Sequence, residues 1–399
     1  MTRKPKHKWE FAARLRARAF GWNGTALACA RMKEAIKEIK TVGKADPVLA
    51  GEGAVILLEK LSAAMEQIDS SSGTLGSATY SAIEELVGVI VLAPAPEALR
   101  AAWLERLWEA FEADDYGYLD TLADHWGDLC LYPDLANRWA DDLLPCLMHT
   151  WGPDRLSGSY FHGTSAALSA MLAAFRFQEI LDTLKLAPYV SWNYRKFGVR
   201  ALAQMGQIDQ ALDYAQASCG LNDSQYGMSS MCEKMLIDAG RWQEAYSRFA
   251  VNATRAGTNL ATFRAIAKKY PAIPAEQILA DLVEASGTPG KWFATAKELK
   301  RFDYALRLVN TSPADPLTLN RAARDFEIKN PPFALGAAIA SVKWIVAGHG
   351  YDLTTRDFVE PYSTALRIAS ALGNTEEVKG ELNAIVKDNP TWAAIASKI

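Results

Sequence analysis

Along most of this chain apolar residues return every third or fourth position, the spacing that gathers them on one face of a helix. Phe11, Leu15 and Ala19 recur every fourth residue and leave Arg14, Arg16 and Arg18 on the wet side, which predicts a helix from near Trp9. Leu27, Ile36 and Ile39 predict a second from Thr25 to about Val42. Ala54, Leu57, Leu58, Leu61 and Met65 predict a third after Pro47, where a first-turn proline is tolerated. A fourth turns Ile83, Leu86, Val87 and Ile90 inward until the proline pair at 94 and 96 stops it. Trp103, Leu107 and Phe111 form an i, i+4, i+8 stripe on a helix from Glu97 to about Ala113, and 116–131 with 133–148 reads as one more hairpin. Glycine, proline and serine crowd together at 151–159, the best candidate for a boundary. Beyond it hairpins follow at near-regular spacing, at 162–186, 192–218, 227–252, 260–285 and 291–309, then longer pairs at 317–347 and 358–387. Turn signals at Arg176, Gly206, Gly240, 271–274 and Arg301 place the bends. Strand-like residues at 90–92 sit inside a helical pattern, so the expectation is an all-α chain, helical over 1–150 and repetitive over 151–399.

The clearest repetition lies in 194–249. Gly206 and Gly240 stand 34 residues apart, as do Ala211 and Ala245. A helix that stops at glycine, turns within a few residues and restarts on alanine is half of a helical hairpin. The glycine supplies the left-handed cap and the alanine allows close approach. Recurrence at 34 residues is the period at which such hairpins stack into a solenoid. With Ile208 and Trp242 two places after the glycines and Phe249 later in the second helix, the segment resembles tetratricopeptide-like repeats. It departs from them at Val199 and Glu233, where a small residue is usual, and at Ala215, which replaces the aromatic seen at Phe249. The chain is also similar to uncharacterised bacterial helical-repeat proteins. The resemblance implies an α-solenoid of stacked hairpins, about ten in all, with an N-terminal helical region packed on it and a concave face able to hold a peptide or a partner protein.

Charge adds an asymmetry that the pattern alone does not show. Net charge is −3, yet residues 1–44 hold 12 Lys/Arg against 3 Asp/Glu (+9), and residues 45–142 hold 4 against 19 (−15). Such unevenness points to an interaction or to pairing between segments. No apolar run reaches the roughly 18 residues of a membrane span, the nearest being 86–95, and the basic N-terminus runs into Trp9 without the apolar stretch of a signal peptide. Five cysteines, Cys29, Cys130, Cys146, Cys219 and Cys232, are scattered singly and read as reduced core thiols of a cytoplasmic protein.

Four constellations could carry chemistry. The serine-rich turn Asp69, Ser70, Ser71, Ser72, Gly73 and Thr74 enters a helix and could hold an anion on its N–H groups. It lacks the lysine and spacing of a nucleotide loop and serves equally as a cap, with Ser72 or Thr74 capping the next helix. His162 beside Ser165 could pair a base with a nucleophile, and Ser71 would join them if the two loops converged, although no acid partner is identifiable from sequence. Asp120, Asp124 and Asp128 share a helical face with His125 beside them, the oxygen-rich set a hard cation prefers, or a solvated face. Arg3, Lys4, Lys6, Lys8, Arg14, Arg16 and Arg18, interleaved with Trp9, Phe11, Phe20 and Trp22, could bind a nucleic-acid backbone, or could pair with the acidic stretch that follows.

Of the 12 tryptophans, Trp103, Trp139, Trp242, Trp292 and Trp344 read as core, whereas Trp22, Trp126, Tyr160, Trp192 and Tyr194, with Arg195, lie at helix starts or loops and read as a recognition surface. No cofactor or metal motif is complete. A peptide- or protein-binding scaffold therefore ranks first, a hydrolase or transferase at the junction of the two regions second, and nucleic-acid binding third.

Overall fold

The computed structural model describes residues 7–153, 158–220 and 223–399. Arg3, Lys4 and Lys6 of the basic arm fall outside them, as do residues 154–157 of the expected boundary. Among the described residues every regular element is a helix. The chain divides into two compact units, Met1–Ser224 and Gln225–Ile399.

In the first unit the long apolar helices Thr25–Gly43, Pro47–Met65, Thr74–Leu92, Glu97–Glu112 and Pro133–Trp151 surround a core of Leu57, Leu61, Leu86, Trp103 and Leu107. Asp46 caps one of them by accepting from the N–H of Leu49 at 2.9 Å, with Pro47 in the first turn as the sequence predicts. Helix Thr74–Leu92 is long and apolar enough to cross a membrane, which corrects the reading that no segment reaches that length. Leu75, Ile83, Leu86 and Ile90 are nevertheless buried against neighbouring helices. Its carboxylates are paired, Glu84 with His125 and Glu85 with Lys40.

The N-terminal segment differs from expectation. Trp9, Phe11, Leu15 and Phe20 are buried, but only Phe11–Arg14 is helical. Arg18 turns at φ +55° and its N–H donates to Ala63 O at 2.8 Å, so the chain leaves the helix to pin itself on Pro47–Met65. Leu27 is exposed rather than inward, Cys146 is exposed, and only Cys130 and Cys232 are core thiols.

One side chain organises the middle of this unit. Arg100 has no exposed surface and, among the described residues, no carboxylate partner. Its guanidinium donates to Ile90 O (3.2 Å), Ala93 O (2.8 Å) and Leu129 O (3.1 Å). These carbonyls lie at the C-terminal ends of two helices, where unpaired oxygens and the negative end of the dipole gather, so the protein meets a buried cation with backbone rather than with an acid. Burial holds the Arg100 guanidinium below its ordinary pKa and pushes the nearby Cys130 thiol up to about 12.

From Thr164 onward a different device ends several of the helices. Gly240 turns at φ +75°, with Arg241 N–H donating to Leu236 O at 2.7 Å and Gly240 N–H to Ile237 O at 2.9 Å. Gly206 repeats it at φ +79°, with Gln207 N–H to Leu202 O at 2.9 Å and Gly206 N–H to Ala203 O at 3.0 Å. The left-handed residue lets two backbone N–H groups reach back over the last turn and satisfy its carbonyls. The same bonds close the helices at Phe175 (φ +60°) and Lys300 (φ +58°), which are not glycines. Each turn is followed by a bulky residue that opens the next helix: Phe177, Ile208, Trp242 and Phe302.

In the second unit the helices run Gln225–Asp238, Trp242–Phe249, Asn259–Lys269, Ala275–Ser286, Phe293–Glu298, Phe302–Thr311, Pro316–Phe326, Pro331–Val346, Thr355–Leu372, Thr375–Val386 and Pro390–Ala396, with the short 3₁₀ turn Pro289–Trp292. Glu233, in the place where a small residue is usual, is 3% exposed; it accepts from Tyr270 Oη and Lys269 Nζ, both at 2.7 Å. Val199 fills the corresponding place in the first unit as a buried apolar residue. The tryptophans divide otherwise than their positions suggested. Trp242 is half-exposed, whereas Trp126 and Trp192 are buried at their helix starts because neighbouring helices cover them.

Candidate binding cleft

A cleft of about 310 Å³ in the first unit brings together residues that the sequence had placed in separate constellations. Tyr80, Phe111, Asp120, Asp124, Tyr160, His162, Ser165, Asn193 and Tyr194 are among those lining it. Its floor rests on an aromatic cluster in which Trp108, Trp126 and Trp139 lie with ring centroids 5.0–5.5 Å apart and Phe111 leans on Trp108 at 5.4 Å. The His162 imidazole stacks on Phe111 at 4.0 Å and 20°.

Two short helices present the acids. The expected single helix over 116–131 breaks at His125 (φ −102°, ψ 7°) into Asp120–Asp124 and Trp126–Cys130. Gly127 explains the break. A Cβ there would stand 2.2 Å from Ser169 O, so only glycine lets this segment lie against helix Thr164–Ala173. Ser169 Oγ ties the junction, accepting from Gly127 N–H at 3.0 Å and donating to Asp124 O at 2.9 Å.

The break also disperses the proposed metal face. Asp120 Oδ1 lies 2.8 Å from His162 Nε2, Asp124 accepts from Lys196 Nζ at 2.5 Å, and His125 lies 2.9 Å from Glu84 and 3.4 Å from Asp128. Among the described residues no group of three ligating side chains converges. The hydrogen bond that His125 gives to Asp128, with the one it gives to Glu84, outweighs burial and raises the His125 pKa. Asp114, just ahead, is buried as a loop organiser; it accepts from Leu119 N–H at 2.6 Å, Tyr116 N–H at 3.2 Å and Ser62 Oγ at 2.5 Å.

On the opposite wall Tyr194 packs edge-on against Trp151 at 5.3 Å and 6.2 Å from Tyr189. Burial, then the Tyr189 hydroxyl, pushes its phenol above the ordinary range. Tyr160 is 68% exposed at the rim. His162 has found the acid partner that sequence could not identify, but among the described residues no hydrogen bond joins Ser165 to the imidazole. Thr164 Oγ1 donates instead to Phe161 O at 2.7 Å and tightens the helix entry.

The remaining candidates lie elsewhere. Ser71 is not among the cleft residues. Its N–H donates to Asp69 Oδ1 at 2.9 Å, and its backbone and then its side-chain hydrogen bond hold the Asp69 carboxyl below the usual range. Ser70 bonds Tyr118, Thr74 N–H approaches Ser72 Oγ at 3.4 Å, and the helix cap is Gly73 at φ +68° rather than a serine or threonine hydroxyl. Arg195 donates to Tyr214 Oη at 2.7 Å, and Trp192 N–H to Asp223 at 3.3 Å. In the basic segment Arg14 pairs with Glu34 at 3.1 Å, and Arg18 engages Glu66 through Nε and Nη2 at 3.1 and 3.2 Å. Lys8 and Arg16 are exposed. The pairing of basic segment with acidic region is thus present at Arg18–Glu66 and Lys40–Glu85.

Sequence reasoning missed Tyr80, Phe111 and Asn193 as cleft residues. Phe111 reads as an ordinary position on a helical stripe and Tyr80 carries no signal in its sequence pattern, and only tertiary packing brings both into the cleft with His162. Compared with known proteins, the chain matches no family model and no curated protein.

Proposed function

We propose that the protein is a cytoplasmic binding module of tetratricopeptide-like hairpins, and that the cleft around Tyr160 and Tyr194 holds a peptide segment of a partner protein. The observation that carries this reading is the lining itself. Three tyrosines, a histidine and an asparagine converge from separate helices and loops, the mixture of rigid amphipathic rings and adaptable polar groups that recognition surfaces use. The recurrent left-handed turn at Phe175, Gly206, Gly240 and Lys300 supports the repeat assignment.

The test is comparative capture from native lysate at low salt. A partner retained by the natural chain and lost by the Tyr160→Ala, Tyr194→Ala double variant supports the reading; identical recovery by both sinks it.

The 2.8 Å His162–Asp120 contact beside Ser165 favours a second reading, a hydrolase or transferase in the same cleft. An acid-oriented imidazole is the base such chemistry needs. A fluorophosphonate probe should then label Ser165 at a rate that falls at least tenfold in His162→Ala, and no labelling of Ser165 would dispose of it. A third reading, polyanion binding, moves from the paired arginines to the exposed lysines Lys33, Lys37 and Lys40 of helix Thr25–Gly43 and Lys44 just after it, of which Lys40 also pairs with Glu85. Phosphate contacts release counterions, so affinity for a nucleic acid should fall steeply with salt, and charge reversal at Lys33 and Lys37 should flatten that slope. No binding at 50 mM salt would end that reading.

A further inference from the structure

We infer that the second unit carries a separate recognition pocket at Trp242, which takes an apolar, preferably aromatic, peptide side chain flanked by a carboxylate. A concavity of about 370 Å³ is lined by Trp242, Tyr270, Pro271, Ala272 and Ile273, together with Gln243 and the two lysines Lys268 and Lys269. That size suits one or two side chains, and an apolar wall with a few polar groups beside it is how small sites gain both affinity and orientation.

Three features set the site apart from an incidental hollow. First, Trp242 is exposed where its counterparts after the other left-handed turns, Phe177, Ile208 and Phe302, are half-buried. A half-open indole is the side chain most enriched at binding hot spots. Second, the floor is fixed before any ligand arrives. The Tyr270 hydroxyl donates to the buried Glu233 carboxylate at 2.7 Å. Its ring stands edge-on to Trp242 at 6.2 Å and to Tyr246 at 5.3 Å, and the Tyr246 hydroxyl is itself bonded to Asp281. Pro271 and Pro274 restrict the loop that follows. A preorganised pocket avoids the ordering cost that otherwise consumes binding energy.

Third, the charge at the edge is unpaired on one residue only. Lys269 is committed to Glu233 at 2.7 Å, whereas Lys268 is exposed and has no carboxylate partner among the described residues. Its ammonium therefore selects the sign of the group beside the apolar anchor.

The probe is acetyl-Asp-(4-fluoroPhe)-amide, followed by ¹⁹F NMR on the full chain, with acetyl-Lys-(4-fluoroPhe)-amide as its charge-reversed partner. The acidic peptide should bind at least threefold more tightly than the basic one. Trp242→Ala should weaken it at least tenfold and Trp242→Phe much less, with circular dichroism confirming that each variant folds. Lys268→Glu should reverse the preference between the two peptides. Tyr160→Ala, in the other unit, should change nothing, so this site can fail or stand independently of the cleft around Tyr160. Equal binding by Trp242→Ala and the natural chain, no binding of either peptide, or a Lys268→Glu variant with unchanged preference would overturn the inference.

Discussion

Some helices before Trp151 and some after Thr164 end by two different means. In the first region a distant side chain does the work: Arg100 supplies donors to the carbonyls that end Thr74–Leu92 and Trp126–Cys130, and Asp114 gathers the N–H groups after Glu97–Glu112. In the second the backbone closes on itself through a left-handed residue and two short-range bonds, at Phe175, Gly206, Gly240 and Lys300. The first device is specific to one place and leaves no periodic trace. The second can be copied along a chain, because it needs nothing beyond its own turn.

If that contrast is correct, the largest effect should come from the region held by a single side chain. Arg100→Leu removes one donor from each of three buried carbonyls; Ile90 O and Ala93 O keep the N–H groups of Ala93 and Ala95, and Leu129 O loses its side-chain donor, a change that costs about 1–3 kcal/mol. Urea unfolding would measure it, and a loss below about 1 kcal/mol would mean that the carbonyls find other partners. The local device should respond more modestly and can even be improved. Lys300 is exposed and pays for its positive φ, so Lys300→Gly should stabilise by roughly 0.5–1 kcal/mol after the entropy of the added glycine is deducted. A destabilisation there would show that the side chain has a role outside the turn.

A further contrast is titratable. His125 sits at the break between two helices of the first region, and its partners Asp128 and Glu84 raise its pKa. A group whose folded pKa is raised gives stability that is fully present below its unfolded pKa of about 6.5 and is lost as pH rises through the folded value. Stability of the natural chain should therefore decline from about pH 6 upward by more than that of His125→Gln. Parallel pH profiles for the two would remove His125 from the account.

How much was legible follows from the same difference. Gly206 and Gly240 could be read directly, since glycine announces a left-handed turn. The turns at Arg176 and Arg301 were placed within a residue, but the left-handed residues Phe175 and Lys300 carry no glycine to mark them. The break at His125 was invisible because it depends on Gly127 lying against Ser169, 42 residues away. The His162–Asp120 pair was hidden for the same reason: each residue was singled out, but in different constellations, and only packing around Phe111 brings them together. Trp242 was assigned to the core by its position in the repeat, whereas exposure is decided by what the neighbouring helix covers.

The central claim, that a repeated left-handed turn organises the hairpins, is tested most directly at Gly240. A Cβ added there would meet no atom within 4 Å, so Gly240→Ala probes backbone conformation without a steric clash. With φ at +75°, the account predicts a loss of about 1–2 kcal/mol in urea unfolding, and a greater loss for Gly240→Val. A residue inside a continuous helix would behave oppositely, since replacing glycine by alanine there gains about 1 kcal/mol. A fall in stability of that size is the predicted result, and a rise would contradict the account.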